Sequence, residues 1–304
     1  MDWTNIILIV LGLCLFEIIT SVDNAIINAS VLGTMQPKYR KWFLFTGIII
    51  GVFVVRGLLP WAIIWASSPT LGAWGALAAS FSSDPKILAA IQSSAPMLLI
   101  AGGTYLLFLF LHWYFVEPKS YGLIGEKTIE KYGVWFFAVV SILLAEMVWL
   151  SLHKEVMMAF GAVLGSTAFF ITDGFKTNAE QQEKNLKKKG VSDVSKIFYL
   201  EVIDSTFSID SVLGAFAFTL SVPLIIIGNG IGALIVRQLT ISGTEKIKQY
   251  VYLKNGAMYS IFFLGIVMVL DSFGAEIPSW ISPVITFLVV GYFFLKSKKA
   301  VKID

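Results

Sequence analysis

The sequence predicts an all-α polytopic membrane protein of about nine transmembrane helices, arranged as an inverted-topology repeat with two broken helices at the midplane. Three observations lead there: an apolar composition, apolar runs of spanning length, and an acidic signature that occurs twice inside such runs. Hydrophobic residues make up 57% of the 304 residues and charged residues 14%, whereas a soluble domain carries about 25% charge. No basic stretch precedes the first apolar run and no small-residue cleavage site lies in it, which argues against a removable signal peptide. The single cysteine, Cys14, excludes an intrachain disulfide and a thiolate metal cluster.

A bilayer core needs about 20 helical residues. Apolar runs that meet this fall at about 5–32, 41–66, 95–116, 133–152, 155–173, 196–220, 222–240, 254–271 and 279–296. Basic residues gather at alternate gaps: Lys38, Arg40 and Lys41, then Lys119, Lys127 and Lys131, then Lys176 and Lys184 to Lys196, then Arg237 to Lys254, and Lys296 to Lys302. The opposite loops hold only Lys86 and Lys154. The positive-inside rule then predicts a multi-pass cell-membrane protein with the N-terminus outside and the C-terminus in the cytoplasm. Residues 67–94, with Asp84-Pro85 and Gly72-Ala73-Trp74-Gly75, read as an external loop with a partly buried, re-entrant or interfacial piece. The whole chain, 1–304, reads as one transmembrane domain. A first repeat covers about 5–116 and a second about 196–271; helices over 133–173 and a solvated cytoplasmic linker, 174–195, join them.

The acidic signature is the chemically informative feature. Glu17 and Asp23 stand six residues apart, as do Asp204 and Asp210, with Glu201 three before Asp204. Ser21 and Ser208 lie two residues before the second acid of each copy, and Asn24 and Ser211 follow it. A carboxylate in hydrocarbon costs about 2.5–3.5 kcal/mol on insertion scales, so a repeated set calls for a function. After each copy comes a pair of glycines four apart with an arginine five further on: Gly47, Gly51 and Arg56, then Gly228, Gly232 and Arg237. With alternating spans the copies run in opposite directions, as in transporters whose ion sites lie between inverted repeats.

On an unbroken helix a six-residue spacing leaves the acids about 120° and ~9 Å apart. Breaks near Ser21–Asn24 and Ser208–Ser211 would let them converge, because Ser, Asp and Asn compete for backbone hydrogen bonds. The resulting oxygen-rich set has Glu17, Asp23, Asn24, Glu201, Asp204 and Asp210 as metal ligands, and Ser21, Asn28, Ser208 and Ser211 as additional ones. Such a set suits Mn²⁺, Ca²⁺ or Mg²⁺ over Zn²⁺ or Cu⁺. When the cation leaves, repulsion among the carboxylates favours protons, which couples metal to proton movement. Arg56 and Arg237 read as counter-ions or gates, or as snorkelling residues at helix ends. Glu146, alone in the fourth run, is a further intramembrane carboxylate for such a role.

These motifs resemble the TerC family of integral membrane proteins, and the form Leu200-Glu201-Val-Ile-Asp204-Ser-Thr-Phe-Ser208-Ile-Asp210-Ser211-Val is most similar to a branch carried as a domain of unknown function. The resemblance covers roughly 5–60 and 196–271. It implies divalent-metal efflux, manganese foremost, with an older association with tellurium resistance. It carries Glu17, Asp23 and Asn24 over from the first signature and Asp204 and Asp210 from the second; Ser211 in place of an amide and the extra Glu201 depart from strict symmetry.

The expected function is therefore a secondary transporter exporting a hard divalent cation in exchange for protons, with lipid, metal and protons as partners and neither cofactor, nucleic acid nor catalytic residue. Two other classes stay open. One is a non-transporting membrane partner in metal delivery or stress resistance. The other is an intramembrane aspartyl hydrolase using Asp23 and Asp210, against which the missing Gly-x-Gly-Asp and the surplus acids argue. No Walker motif supports an ATP-driven pump.

Overall fold

A chain this apolar satisfies its backbone in lipid by coiling it into helices, and every regular element among the described residues is helical. The computed structural model describes residues 2–47, 56–67, 72–81, 85–119, 121–123, 125–186, 191–242 and 250–301. In chain order the helices are α1 (Trp3–Thr20), α2 (Val22–Leu32), α3 (Pro37–Gly47), α4 (Arg56–Ser67), α5 (Gly72–Phe81), α6 (Pro85–Phe115), α7 (Glu126–Ile129), α8 (Trp135–Leu152), α9 (Val156–Leu186), α10 (Asp193–Ala215), α11 (Val222–Ser242), α12 (Leu253–Ser272) and α13 (Ile281–Val301).

Seven of these, α1, α6, α8, α9, α11, α12 and α13, contain stretches long and apolar enough to cross a membrane. The protein is thus a multi-pass, all-helical membrane protein. At 23 residues α10 has the length to span, but carries Lys196, Glu201, Asp204 and Asp210. The expected span 41–66 falls on α3 and α4, with 48–55, including Gly51, outside the described residues. The presumed loop 67–94 contains α5 and the start of α6. Part of the presumed linker 174–195 is helix, because α9 continues without interruption to Leu186.

The two expected helix breaks have different outcomes. α1 stops at Thr20, Ser21 takes φ −92° and ψ 1°, and α2 begins at Val22. The interruption is one residue long, with Ser21 N still donating to the Glu17 carbonyl at 3.1 Å and Ala25 N to the Ser21 carbonyl at 2.9 Å, while Ser21 Oγ donates to Glu17 Oε1 at 2.8 Å. The break expected at Ser208–Ser211 is corrected, since α10 runs through it to Ala215. Its hydroxyls bond within the helix instead, Ser208 Oγ to the Asp204 carbonyl at 2.6 Å and Ser211 Oγ to the Ser208 carbonyl at 3.0 Å. The difference lies in the acceptor: Ser21 Oγ is drawn to the Glu17 side chain, whereas these two hydroxyls stay on carbonyls of their own helix. The chain turns only beyond Ala215, over 216–221 ahead of α11.

Small residues set the helix approaches, as is usual where lipid removes the hydrophobic drive between helices. A Cβ on Gly165 of α9 would lie 2.1 Å from the Ala101 carbonyl oxygen of α6, and one on Gly161 2.6 Å from the Met97 oxygen. These matched, rising numbers make α6 and α9 parallel. Gly102 and Gly265 pair α6 with α12 in the opposite sense, through Met268 and Leu106. The same logic runs α11 parallel to α1, with Gly228 on Leu13 and Gly232 on Glu17. α10 runs antiparallel to α11, since Ser211 meets Asn229 and Asp204 meets Arg237. The two acidic segments therefore lie antiparallel to each other. The main apolar core joins Ile9, Leu13 and Phe16 to Tyr105, Phe108, Phe169, Val212, Leu264 and Met268.

The segment after α6 is strapped down by polar groups. Lys119 caps α6, its Nζ donating to the carbonyls of Trp113 at 2.7 Å and Tyr114 at 2.9 Å over the Trp113 ring. Buried Glu126 accepts from the Leu123 amide at 2.8 Å, Tyr259 Oη at 2.7 Å and Asn255 Nδ2 at 3.0 Å.

Candidate functional site

The break at Ser21, the glycines of α11 and the unbroken helix α10 together build one buried polar cavity. Gly228 and Gly232 let α11 approach α1 so closely that a Cβ on Gly232 would lie 2.6 Å from Glu17 Cβ. Five residues on, Arg237 reaches α10, and Nη2 donates to Asp204 Oδ2 at 2.9 Å and stands 3.6 Å from Glu201 Oε2. On α2, Asn24 Nδ2 donates to the other Asp204 oxygen at 2.5 Å. The cavity, about 10 Å³, is lined by Glu17, Ser21, Asn24, Asn28, Asp204 and Arg237, with Phe43, Ala233, Val236 and Thr240 completing its wall. That volume is about the room of one water or one bare ion.

Two acceptors in this wall have no hydrogen-bond partner. Asn24 and Asn28 are 2% and 5% exposed, and the Oδ1 atom of each is buried and unbonded. They lie one helical turn apart on α2 and line the same cavity. A buried acceptor left unsatisfied costs about 1–3 kcal/mol, so a pair of them favours a guest that is a cation or a hydrogen-bond donor.

Asp210 lies elsewhere. Six residues beyond Asp204 on a continuous helix, it turns toward α6 and α9 rather than α2 and α11. It accepts from Tyr105 Oη and from Lys176 Nζ, and Tyr105 Oη is also 2.9 Å from Thr172 Oγ1. A second small cavity, about 20 Å³, adjoins Asp210 and is lined by Ile19, Thr20 and Val22 and by the α12 residues Lys254, Ala257, Met258 and Ile261. The α1–α2 junction contributes to both cavities, and α10 carries one acid to each.

Of the residues singled out in the sequence, the structure thus brings Glu17, Ser21, Asn24, Asn28 and Asp204 to one cavity, with Glu201 behind Arg237. Asp210 joins a different set. Ser208 and Ser211 are buried, but their hydroxyls are bonded within α10. Asp23 lies on α2 and Arg56 opens α4, and their side chains are outside the described residues. Arg237 does not snorkel; it is 7% exposed and paired. Glu146 is on the exposed face of α8 and lines neither cavity. Among the described residues no three of the His, Cys, Asp and Glu side chains converge to hold one metal ion. Whatever the cavity holds in this arrangement, amide oxygens must share the work.

Sequence reasoning missed Tyr105, Thr172 and Lys176. Tyr105 and Thr172 sit in apolar runs without a repeat, and Lys176 reads as one of many topology-setting lysines. The only available signal was the oddity of Asp173 and Lys176 just beyond an apolar run that stays helical.

A profile described as Protein of unknown function (DUF475) matches residues 22–302. The chain belongs to that family. No curated protein and no solved structure matches it. The DUF475 match takes in α2, α10 and α11, and so every polar residue of the first cavity except Glu17 and Ser21.

Proposed function

We propose that this protein is a secondary transporter that exports a hard divalent cation, Mn²⁺ foremost, in exchange for protons. The observation that carries the reading is the pair of unbonded amide oxygens, Asn24 Oδ1 and Asn28 Oδ1, facing a buried cavity that Glu17 and Asp204 also line. Oxygen donors of mixed charge suit hard dications. Binding of a metal by carboxylate ligands is linked to proton release, which supplies the exchange. The antiparallel course of the two acidic segments supports an inverted repeat, in which a rocking motion exposes the site to either side in turn. The likeness of the acidic signature to the TerC family points the same way, as does the lysine distribution, which favours an outside N-terminus and a cytoplasmic C-terminus.

The test is uptake of radioactive manganese into proteoliposomes of the purified protein under an imposed pH gradient. Wild type accumulates Mn²⁺ only while the gradient lasts, and Asp204→Asn lowers the rate by about tenfold or more, because it removes one charge from the site. Asn28→Ala, which removes a neutral ligand, lowers it less. Wild-type uptake equal to that of protein-free liposomes for Mn²⁺, Ca²⁺ and Mg²⁺ alike sinks the proposal.

A further inference from the structure

The guanidinium of Arg237 stands where a transported cation would draw on Asp204. It is bound on one face only by a strong contact, Nη2 to Asp204 Oδ2 at 2.9 Å; Glu201 Oε2 is at 3.6 Å and the Phe43 carbonyl oxygen at 3.5 Å. Its other neighbour is the Phe43 ring, with the guanidinium carbon 5.1 Å from the centroid. Asp204 is thereby shared, one oxygen with Arg237 and the other with Asn24 Nδ2. A cation that takes Asp204 together with the free oxygens of Asn24 and Asn28 competes with the guanidinium for the carboxylate. Arginine cannot yield by losing its proton, because it stays charged at any physiological pH. It has to move as an intact cation, and Phe43 offers it a surface: an aromatic face and a carbonyl on α3 that hold a guanidinium without any carboxylate.

Resting on the transporter reading above, we propose that Arg237 is a tethered competitor for the substrate cation. It occupies Asp204 and Glu201 when the cation is absent and withdraws onto Phe43 when the cation binds. The consequence concerns rate as much as affinity. A carboxylate site buried in a membrane would hold a dication too tightly to release it. An internal cation that returns to the same carboxylate weakens binding and speeds release. A merely structural arginine predicts the opposite response to its removal: a loosened fold and weaker binding.

The two roles separate in a Mn²⁺-binding measurement on detergent-purified protein, following the loss of the free-ion electron paramagnetic resonance signal. Arg237→Gln is expected to bind Mn²⁺ about tenfold more tightly than wild type. Arg237→Lys keeps a cation and is expected to stay within about threefold of wild type. In proteoliposomes, Arg237→Gln combines this tight binding with slowed exchange. Because Arg237→Gln leaves Asp204 and Glu201 together without the guanidinium and can misfold, Glu201→Gln/Arg237→Gln is compared with Glu201→Gln alone. The double variant restores the charge balance, and it too is expected to bind about tenfold more tightly than its reference. Equal or weaker binding on removing Arg237, in the single and double variants alike, overturns the competitor role while leaving the transporter reading intact, provided that wild type binds. Absence of Mn²⁺ binding in wild type and in every variant, with elution profiles unchanged, overturns both.

Discussion

The pair Lys176–Asp210 lends itself to a quantitative test, because it joins α9 to α10 independently of the first cavity. Their side chains are 14% and 9% exposed, so neither charge is well solvated. Removing one partner of a buried pair costs about 3–5 kcal/mol when the other is left without compensation. Here compensation is unequal. Lys176→Met leaves a carboxylate that keeps the Tyr105 hydroxyl, which puts the cost at the low end, about 3 kcal/mol. Asp210→Asn keeps an acceptor for Tyr105, and the longer Lys176 side chain can swing toward water, so about 2 kcal/mol is expected. The double variant should cost about 3 kcal/mol rather than 5, giving a coupling of about 2 kcal/mol. The assay is reversible unfolding in mixed micelles by titration with a denaturing detergent, followed by far-ultraviolet circular dichroism for all four proteins. Additivity within about 0.5 kcal/mol would show that the two charges do not stabilise each other, and the division of α10 into two polar centres would lose its energetic basis.

Three more perturbations probe other parts of the fold. Gly232→Ala places a methyl against Glu17 Cβ and the Cys14 carbonyl; it should cost about 1–3 kcal/mol in the same unfolding assay and slow Mn²⁺ uptake by shifting Glu17, whereas Gly57→Ala, with nothing within 4 Å of its added Cβ, should leave uptake unchanged. Glu126→Ala strips the partner from Tyr259, Asn255 and the Leu123 amide, for a loss of about 3 kcal/mol and faster proteolysis of the segment 117–132. Glu146→Leu, on the exposed face of α8, should be neutral or stabilising and leave uptake unchanged; a loss of uptake would place Glu146 in the pathway after all.

How much of this was legible in the sequence depended on the length scale of each feature. Helix class and membrane residence follow from composition summed over long windows, and several spans were placed within a few residues, as over 133–152 against Trp135–Leu152. The Ser21 break was legible because Thr20, Ser21 and Glu17 sit within one turn of each other, so local chemistry decides the outcome. The matching break in α10 was misread from the same residue types. Whether a serine opens a helix or bonds back to it depends on which way the neighbouring helices let it point, and no window of sequence carries that. Lys119 reads in the sequence only as one of the basic residues that set topology, and Glu126 stands out in no pattern, since their partners, the end of α6 for the one and Tyr259 and Asn255 for the other, are set by packing.

The six-residue spacing itself had two geometric outcomes. If the helix breaks, the acids converge on one ion; if it does not, they point about 120° apart into different neighbours. α10 takes the second course. Each of its acids then meets a basic side chain from another helix, Asp204 with Arg237 of α11 and Asp210 with Lys176 of α9. A helix that had only to present two ligands to one ion would gain nothing from two separate cationic partners. A helix packed inside an apolar bundle gains from both, because each carboxylate is compensated on its own side. The two partners also differ in kind: Arg237 presents a planar fork of donors and Lys176 a compact point charge. The six-residue spacing between the two acids of α10 is therefore accounted for by two polar centres about 120° apart on one unbroken helix, each with its own basic partner.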